Sequence, residues 1–192
     1  SAGVSFDLEA EVSSWYVRVR APLTATICAF WICGTRQVNL DYMWIMGAPA
    51  KLAHQVGSTL YLNVGSDGYL KGDLYKNELD ENYVINKLED GSIEVSSLGT
   101  REAYTGISVI VGDFGLGNDT LTIGEGVSAA LEIHAGAGFD QISTSGSGTA
   151  HFYGDDGDDV LSASQNFITM YGGGGNDTLQ MTGGIAFLYG DQ

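Results

Sequence analysis

Four aspartates recur in one setting. Asp119, Asp140, Asp159 and Asp177 each close a glycine-rich turn, and each is followed two residues later by Leu or Ile. The turns read FGLGNDTL (114–121), AGAGFDQI (135–142), GDDGDDVL (154–161) and GGGGNDTL (172–179). Gly154, Gly172 and Gly190 stand 18 residues apart, and the two earlier steps are 19 and 21. The glycines at Gly115, Gly117, Gly136, Gly138, Gly154, Gly157, Gly172 and Gly175 permit positive φ and leave carbonyl oxygens free. Carboxylates and carbonyls together are the oxygen donor set of a hard cation. Calcium takes roughly six to eight such oxygens at about 2.3–2.6 Å. One turn offers one or two carboxylates and a few carbonyls, so the spacing places ions between adjacent turns. The expected pairs are Asp119/Asp140, Asp140/Asp159 and Asp159/Asp177. Asp155, Asp156 and Asp158 either add oxygens, with Asp156 the favoured further ligand, or are only solvated charge.

Something must hold these turns in register. After each Asp-x-(Leu/Ile) comes a short β-rich stretch, then a second with alternating apolar residues: Leu131 and Ile133, Ala150 and Phe152, Ile168 and Met170, Ala186 and Leu188. Period-two alternation marks a strand with one buried face. Each unit of about 18 residues therefore holds two strands and two turns, which is one coil of a flattened helix. Coils stacked at about 4.8 Å pair each strand in parallel with its copies. Leu121, Ile142, Leu161 and Leu179 then form one internal ladder, and Ile133, Phe152, Met170 and Leu188 the facing one. One coil cannot bury these faces alone, so the repeats are stable only as a stack. The half-turns at the other end (TIGEGVS, TSGSGT, SASQN, MTGG) carry no aspartate, which predicts cations along one edge only.

The Gly-x-Asp-x-(Leu/Ile) turns resemble the G-G-x-G-x-D-x-U-x unit of the RTX (repeats-in-toxin) calcium-binding β-roll family, over about residues 107–192. The resemblance implies a right-handed parallel β-roll, bound Ca2+, and a secreted or cell-surface protein. It also implies that extracellular calcium triggers folding after export. Family members usually carry the motif on both half-turns; here only one half-turn does. Residues 1–58 match no family recognised here.

Charge is distributed accordingly. Residues 102–192 contain twelve Asp or Glu and no Lys or Arg, whereas all eight basic residues lie in the first 101. Such a field disfavours nucleic acid and anionic membrane surfaces as partners. No stretch reaches 18 apolar residues. The longest, around Leu23–Cys33, is read as a buried strand rather than a membrane span.

The whole chain reads as all-β. Residues 1–58 form an antiparallel β-rich region with candidate strands at 4–12, 15–20, 23–33 and 38–46, and 42–56 holds a loop or one helical turn. Residues 59–111 form a lead-in coil and hairpin: TLYLNV (59–64), a turn at 66–68, two strands flanking Glu89-Asp90-Gly91, and ISVIV (107–111). Residues 112–192 form the β-roll, which Gln192 interrupts in mid-repeat. More of the parent chain, or a neighbouring chain, is expected to cover that edge.

Cys28 and Cys33 are either buried free thiols or a disulfide, which would need a turn between them. His134 and His151 face outward near a ladder of Tyr153, Tyr171 and Tyr189, read as lateral packing rather than a sugar site. No Ser–His–Asp order, HExxH motif or paired-carboxylate cleft stands out, so no catalytic residue is assigned. The expectation is a non-enzymatic, calcium-stabilised structural module of a large extracellular protein: a stalk, adhesin segment or filament unit. The alternative is the accessory β-roll of a secreted hydrolase, epimerase or toxin whose catalytic domain lies outside this chain.

Overall fold

A computed structural model describes residues 3–6, 9–12, 16–29, 32–45, 50–71, 79–164 and 167–190. The chain divides into two compact units, Ser1–Pro49 and Ala50–Gln192.

The first unit is a four-stranded antiparallel sheet of β1 (Gly3–Phe6), β2 (Glu9–Val12), β3 (Tyr16–Ala29) and β4 (Ile32–Ile45). The 23–33 segment is not one strand. Ala29 pairs with Ile32, so the chain reverses between them, and Cys28 and Cys33 become direct register partners. The apolar run had masked this turn because it carries no Gly or Pro.

The second unit is a parallel β-solenoid of about four turns, spaced about 19 residues apart. It opens with β5 (Ala53–Val56), β6 (Thr59–Leu62), a 3-10 turn over Gly65–Lys71, β7 (Asn82–Lys87), β8 (Ile93–Ser97) and β9 (Thr100–Tyr104). The repeats follow as β10 (Val109–Asp113), β11 (Thr120–Ile123), β12 (Ala130–His134), β13 (Gln141–Thr144) and β14 (Ala150–Tyr153). They continue through β15 (Val160–Ala163), β16 (Phe167–Tyr171), β17 (Thr178–Met181) and β18 (Ile185–Tyr189). One sheet runs β18-β16-β14-β12-β10-β6-β5 and the other β17-β15-β13-β11-β7-β8-β9.

Both inner ladders form in the expected register. Tyr83, Leu121, Ile142, Leu161 and Leu179 are successive partners in one sheet. Gly112, Ile133, Phe152, Met170 and Leu188 are successive partners in the other. Their interior members make one continuous apolar core with Leu60, Ile85, Ile110 and Ile123. At the N-terminal end the antiparallel strands β5, β8 and β9 extend the two parallel sheets. Antiparallel additions of this kind end a parallel stack without offering another parallel template. At the last coil β17 and β18 are edge strands, and Ile185, Phe187, Leu188 and Tyr189 are exposed.

Candidate cation-binding edge

The glycine-rich turns stack as a third column beside the sheets. Leu116, Ala137, Asp156 and Gly174 form a row of parallel bridges through their main chains. Gly115, Gly136, Asp155 and Gly173 occupy one turn position, all with positive φ, as do Gly117, Gly138, Gly157 and Gly175 two residues on. Gly154 and Gly172 lie one residue earlier, where the first two turns have Phe114 and Ala135, and both are buried. The sequence reading had grouped them with Gly115 and Gly136; the left-handed position belongs to Asp155 and Gly173 instead.

The tight stacking brings the four aspartates into one ladder. Asp119 N–H donates to Asp140 Oδ1 at 2.7 Å, Asp140 N–H to Asp159 Oδ1 at 2.9 Å and Asp159 N–H to Asp177 Oδ1 at 3.0 Å. Each carboxylate thus clasps the main chain of the preceding coil. Asp119, Asp140 and Asp159 are buried, and the Oδ2 atom of each has no partner. A buried, unpartnered carboxylate oxygen costs free energy, because the charged form has lost its water. Burial accordingly pushes Asp119 up to about 8 and Asp159 up to about 6, and it raises Asp140 as well. The donated N–H bonds pull in the opposite direction. The neighbouring charges add to the rise: Glu81 and Asp140 for Asp119, Asp140 and Asp177 for Asp159.

In the last two turns the second carboxylate oxygen meets glycine, and at Asp159 that oxygen is one of the orphans. A Cβ on Gly154 would lie 2.7 Å from Asp159 Oδ2, and one on Gly172 would collide with Asp177 Oδ2. In the Gly154–Asp159 turn an unsatisfied carboxylate oxygen therefore faces main chain that carries no side chain. That donor chemistry fits a hard cation. Among the described residues no three His, Cys, Asp or Glu side chains converge, so main-chain carbonyls would have to supply most of the ligands. Asp156 is exposed and joins the column through its backbone: its N–H donates to Gly136 O and its carbonyl accepts from Gly138 N–H. Asp177 is half-buried, at the last rung.

Two features escaped the motif. Glu81 is a rung: its N–H donates to Asp119 Oδ1 at 2.6 Å, and it precedes Asn82 as Asp119 precedes Asn82's register partner, Thr120. A second, outer row also links coils. Asn118 N–H donates to Asp80, Phe139 N–H to Asn118, and Asn176 N–H to Asp158. The signal is present as Asp80-Glu81-Asn82-Tyr83, parallel to Asn118-Asp119-Thr120-Leu121, but without the adjacent glycines of the other turns.

The opposite edge lacks aspartate and closes through main chain and hydroxyls: Ser145 N–H to Ile123 O, Ser164 N–H to Thr144 O, and Gly146 N–H to Thr144 Oγ1. On the outer sheet face, His134, Tyr153, Tyr171 and Tyr189 stack at centroid spacings of 4.2, 5.0 and 4.8 Å, with their ring planes nearly parallel. The rings cover one another's faces, so the ladder offers little open ring surface on which a sugar could stack. His151 lies in a different row, beside Glu132 and Thr169.

The fold and this edge define a parallel β-solenoid with a ladder of buried carboxylates. Compared with protein-family models, curated proteins and solved structures, the chain matches none of them. No helix among the described residues is long and apolar enough to cross a membrane.

Proposed function

We propose that the solenoid is a calcium-stabilised structural module of a secreted or cell-surface protein, with Ca2+ held along the aspartate edge. One observation carries this reading: the row of buried aspartates Asp119, Asp140 and Asp159, whose second oxygens have no partner, with that of Asp159 facing the main chain of Gly154. A divalent cation would supply those oxygens with the charge they lack. Calcium fits better than magnesium, which demands near-octahedral geometry and keeps its waters. The acids of this edge are occupied with main-chain N–H groups, which supports a load-bearing rather than a catalytic role. The exposed apolar residues of the last coil support a stack that continues, through further repeats of the parent chain or a neighbouring protein.

Calcium titration of the chelated protein, followed by far-UV circular dichroism and calorimetry, tests the reading. Extracellular calcium modules bind at about 10⁻⁴–10⁻³ M, so β-signal and thermal stability should rise over that range. Asp159→Ala should weaken the response more than Asp177→Ala, because Asp159 lies between complete turns and Asp177 at the last rung. Absence of any heat or spectral change up to about 10 mM calcium would refute calcium binding. Equal losses in the two variants would refute sites shared between coils.

A further inference from the structure

Glu81 is the first rung of the carboxylate ladder; its Oε2 is buried without a hydrogen-bond partner like the Oδ2 atoms of the aspartates, but unlike them it has a cation of its own on the other oxygen. Lys71 Nζ lies 2.9 Å from Glu81 Oε1, with both side chains buried. Gly65 N–H donates to the same oxygen at 3.2 Å. Among the described basic residues of the second unit Lys51, Lys87 and Arg101 are exposed, and Lys71 is buried. A buried ammonium is costly unless it meets a buried opposite charge.

The chain goes out of its way to bring Lys71 there. Gly65 stacks on Gly115: a Cβ on Gly115 would lie 3.1 Å from Gly65 Cα. Gly65 and Glu81 are therefore the counterparts of Gly115 and Asp119. Sixteen positions separate the first pair and four the second. The extra chain carries Lys71, whose carbonyl accepts Lys51 N–H. Glutamate at this rung, one methylene longer than aspartate, still lets its own N–H serve Asp119 while its carboxylate reaches the ammonium.

We propose that Lys71 is a resident cation for the first rung, so that the N-terminal end of the solenoid closes without metal and forms the platform on which the cation-requiring coils stack. The proposal rests on reading the aspartate ladder as a cation-binding edge. It assigns the two ends of the ladder different counter-charges: an ammonium built into the chain at Glu81, and bound calcium at Asp140, Asp159 and Asp177. At low calcium the platform is the part that remains ordered.

Amide hydrogen exchange of the full chain, read by mass spectrometry with calcium and after chelation, tests this. Peptides from 59–64 and 82–97 should keep their protection on chelation, while those from 141–163 and 167–190 lose it. Lys71→Met keeps an apolar stem but strands Glu81. In chelator it should cut protection of the N-terminal peptides by about tenfold or more, as expected when one partner of a buried pair is removed. Lys71→Met combined with Glu81→Gln removes both charges and should restore that protection, which separates charge balance from a mere packing defect. Loss of protection along the whole solenoid on chelation would overturn the role of Lys71 and leave calcium binding standing. Absence of a chelation effect anywhere would overturn both. Unchanged protection in Lys71→Met, or failure of the double variant to recover it, would also overturn the proposal.

Discussion

Asp119, Asp140 and Asp159 sit in a position that is useful to the backbone and adverse to their own charge. Each gives one oxygen to the N–H of the preceding coil, and each leaves the other oxygen buried without a partner. An unfolded aspartate titrates near about 3.9, whereas burial lifts Asp159 to about 6 and Asp119 to about 8 in the folded chain. Between those values the folded state holds more protons than the unfolded state, so stability falls as pH rises. This contribution is complete below about pH 4 and is lost as pH passes through the raised folded values. The metal-free chain should therefore have a higher urea midpoint near about pH 5 than near about pH 8, and saturating calcium should remove or reverse that slope by favouring the ionised carboxylates. A metal-free midpoint that is flat or rises over this interval would show that the rungs are ionised at little cost.

At the scale of the coil, the spacing between turns is set by how closely two main chains approach. Gly157 has φ +139, and a Cβ there would run into Gly138 O of the coil before it. Gly91, in the hairpin between β7 and β8, also has positive φ, but a Cβ there meets nothing within 4 Å. Gly91→Ala should cost about 1–2 kcal/mol, the left-handed penalty alone. Gly157→Ala adds a collision with main chain that cannot rotate away, and it should cost more than about 4 kcal/mol or break the stack at that coil. Denaturant unfolding of the two variants decides this, and equal destabilisation would mean that the turn column is not close-packed. The same contrast explains what the sequence disclosed. Alternation of apolar residues is a direct consequence of strand geometry, so both inner ladders could be read in register from Leu121 to Leu179 and from Ile133 to Leu188. The Gly-x-Asp spacing located Asp119, Asp140, Asp159 and Asp177 for the same reason. It gave no sign that each carboxylate clasps the coil before it, because hydrogen bonding across 18 to 21 residues leaves no local pattern. Glu81 stayed hidden because an inserted segment parts it from Gly65, the glycine that matches Gly115. The reversal between Ala29 and Ile32 stayed hidden because residues that favour strands flank it on both sides.

Across the whole chain, residues 102–192 hold twelve acids and no Lys or Arg, and among the described ones two populations stand at the extremes of burial. Glu125, Glu132, Asp156 and Asp158 are exposed, while Asp119, Asp140 and Asp159 are buried. Mobile salt reaches the first population only. At physiological ionic strength the screening length is about 8 Å, so sodium chloride quiets repulsion among exposed carboxylates but leaves the buried rungs untouched. A cation bound to the folded state acts differently, by mass action: about 4 kcal/mol per site when the free ion exceeds its dissociation constant a thousandfold. For a chain of this size about 1 kcal/mol moves Tm by roughly 2–4 °C. In chelator, raising sodium chloride should therefore lift Tm by only a few degrees. Calcium at matched ionic strength should add on the order of 10 °C or more. The two increments should be nearly additive, because they act on different carboxylates. Differential scanning calorimetry across both series provides the measurement. If sodium chloride alone reproduced the calcium increment, the stabilisation would come from surface screening, and the buried ladder would have no part in it.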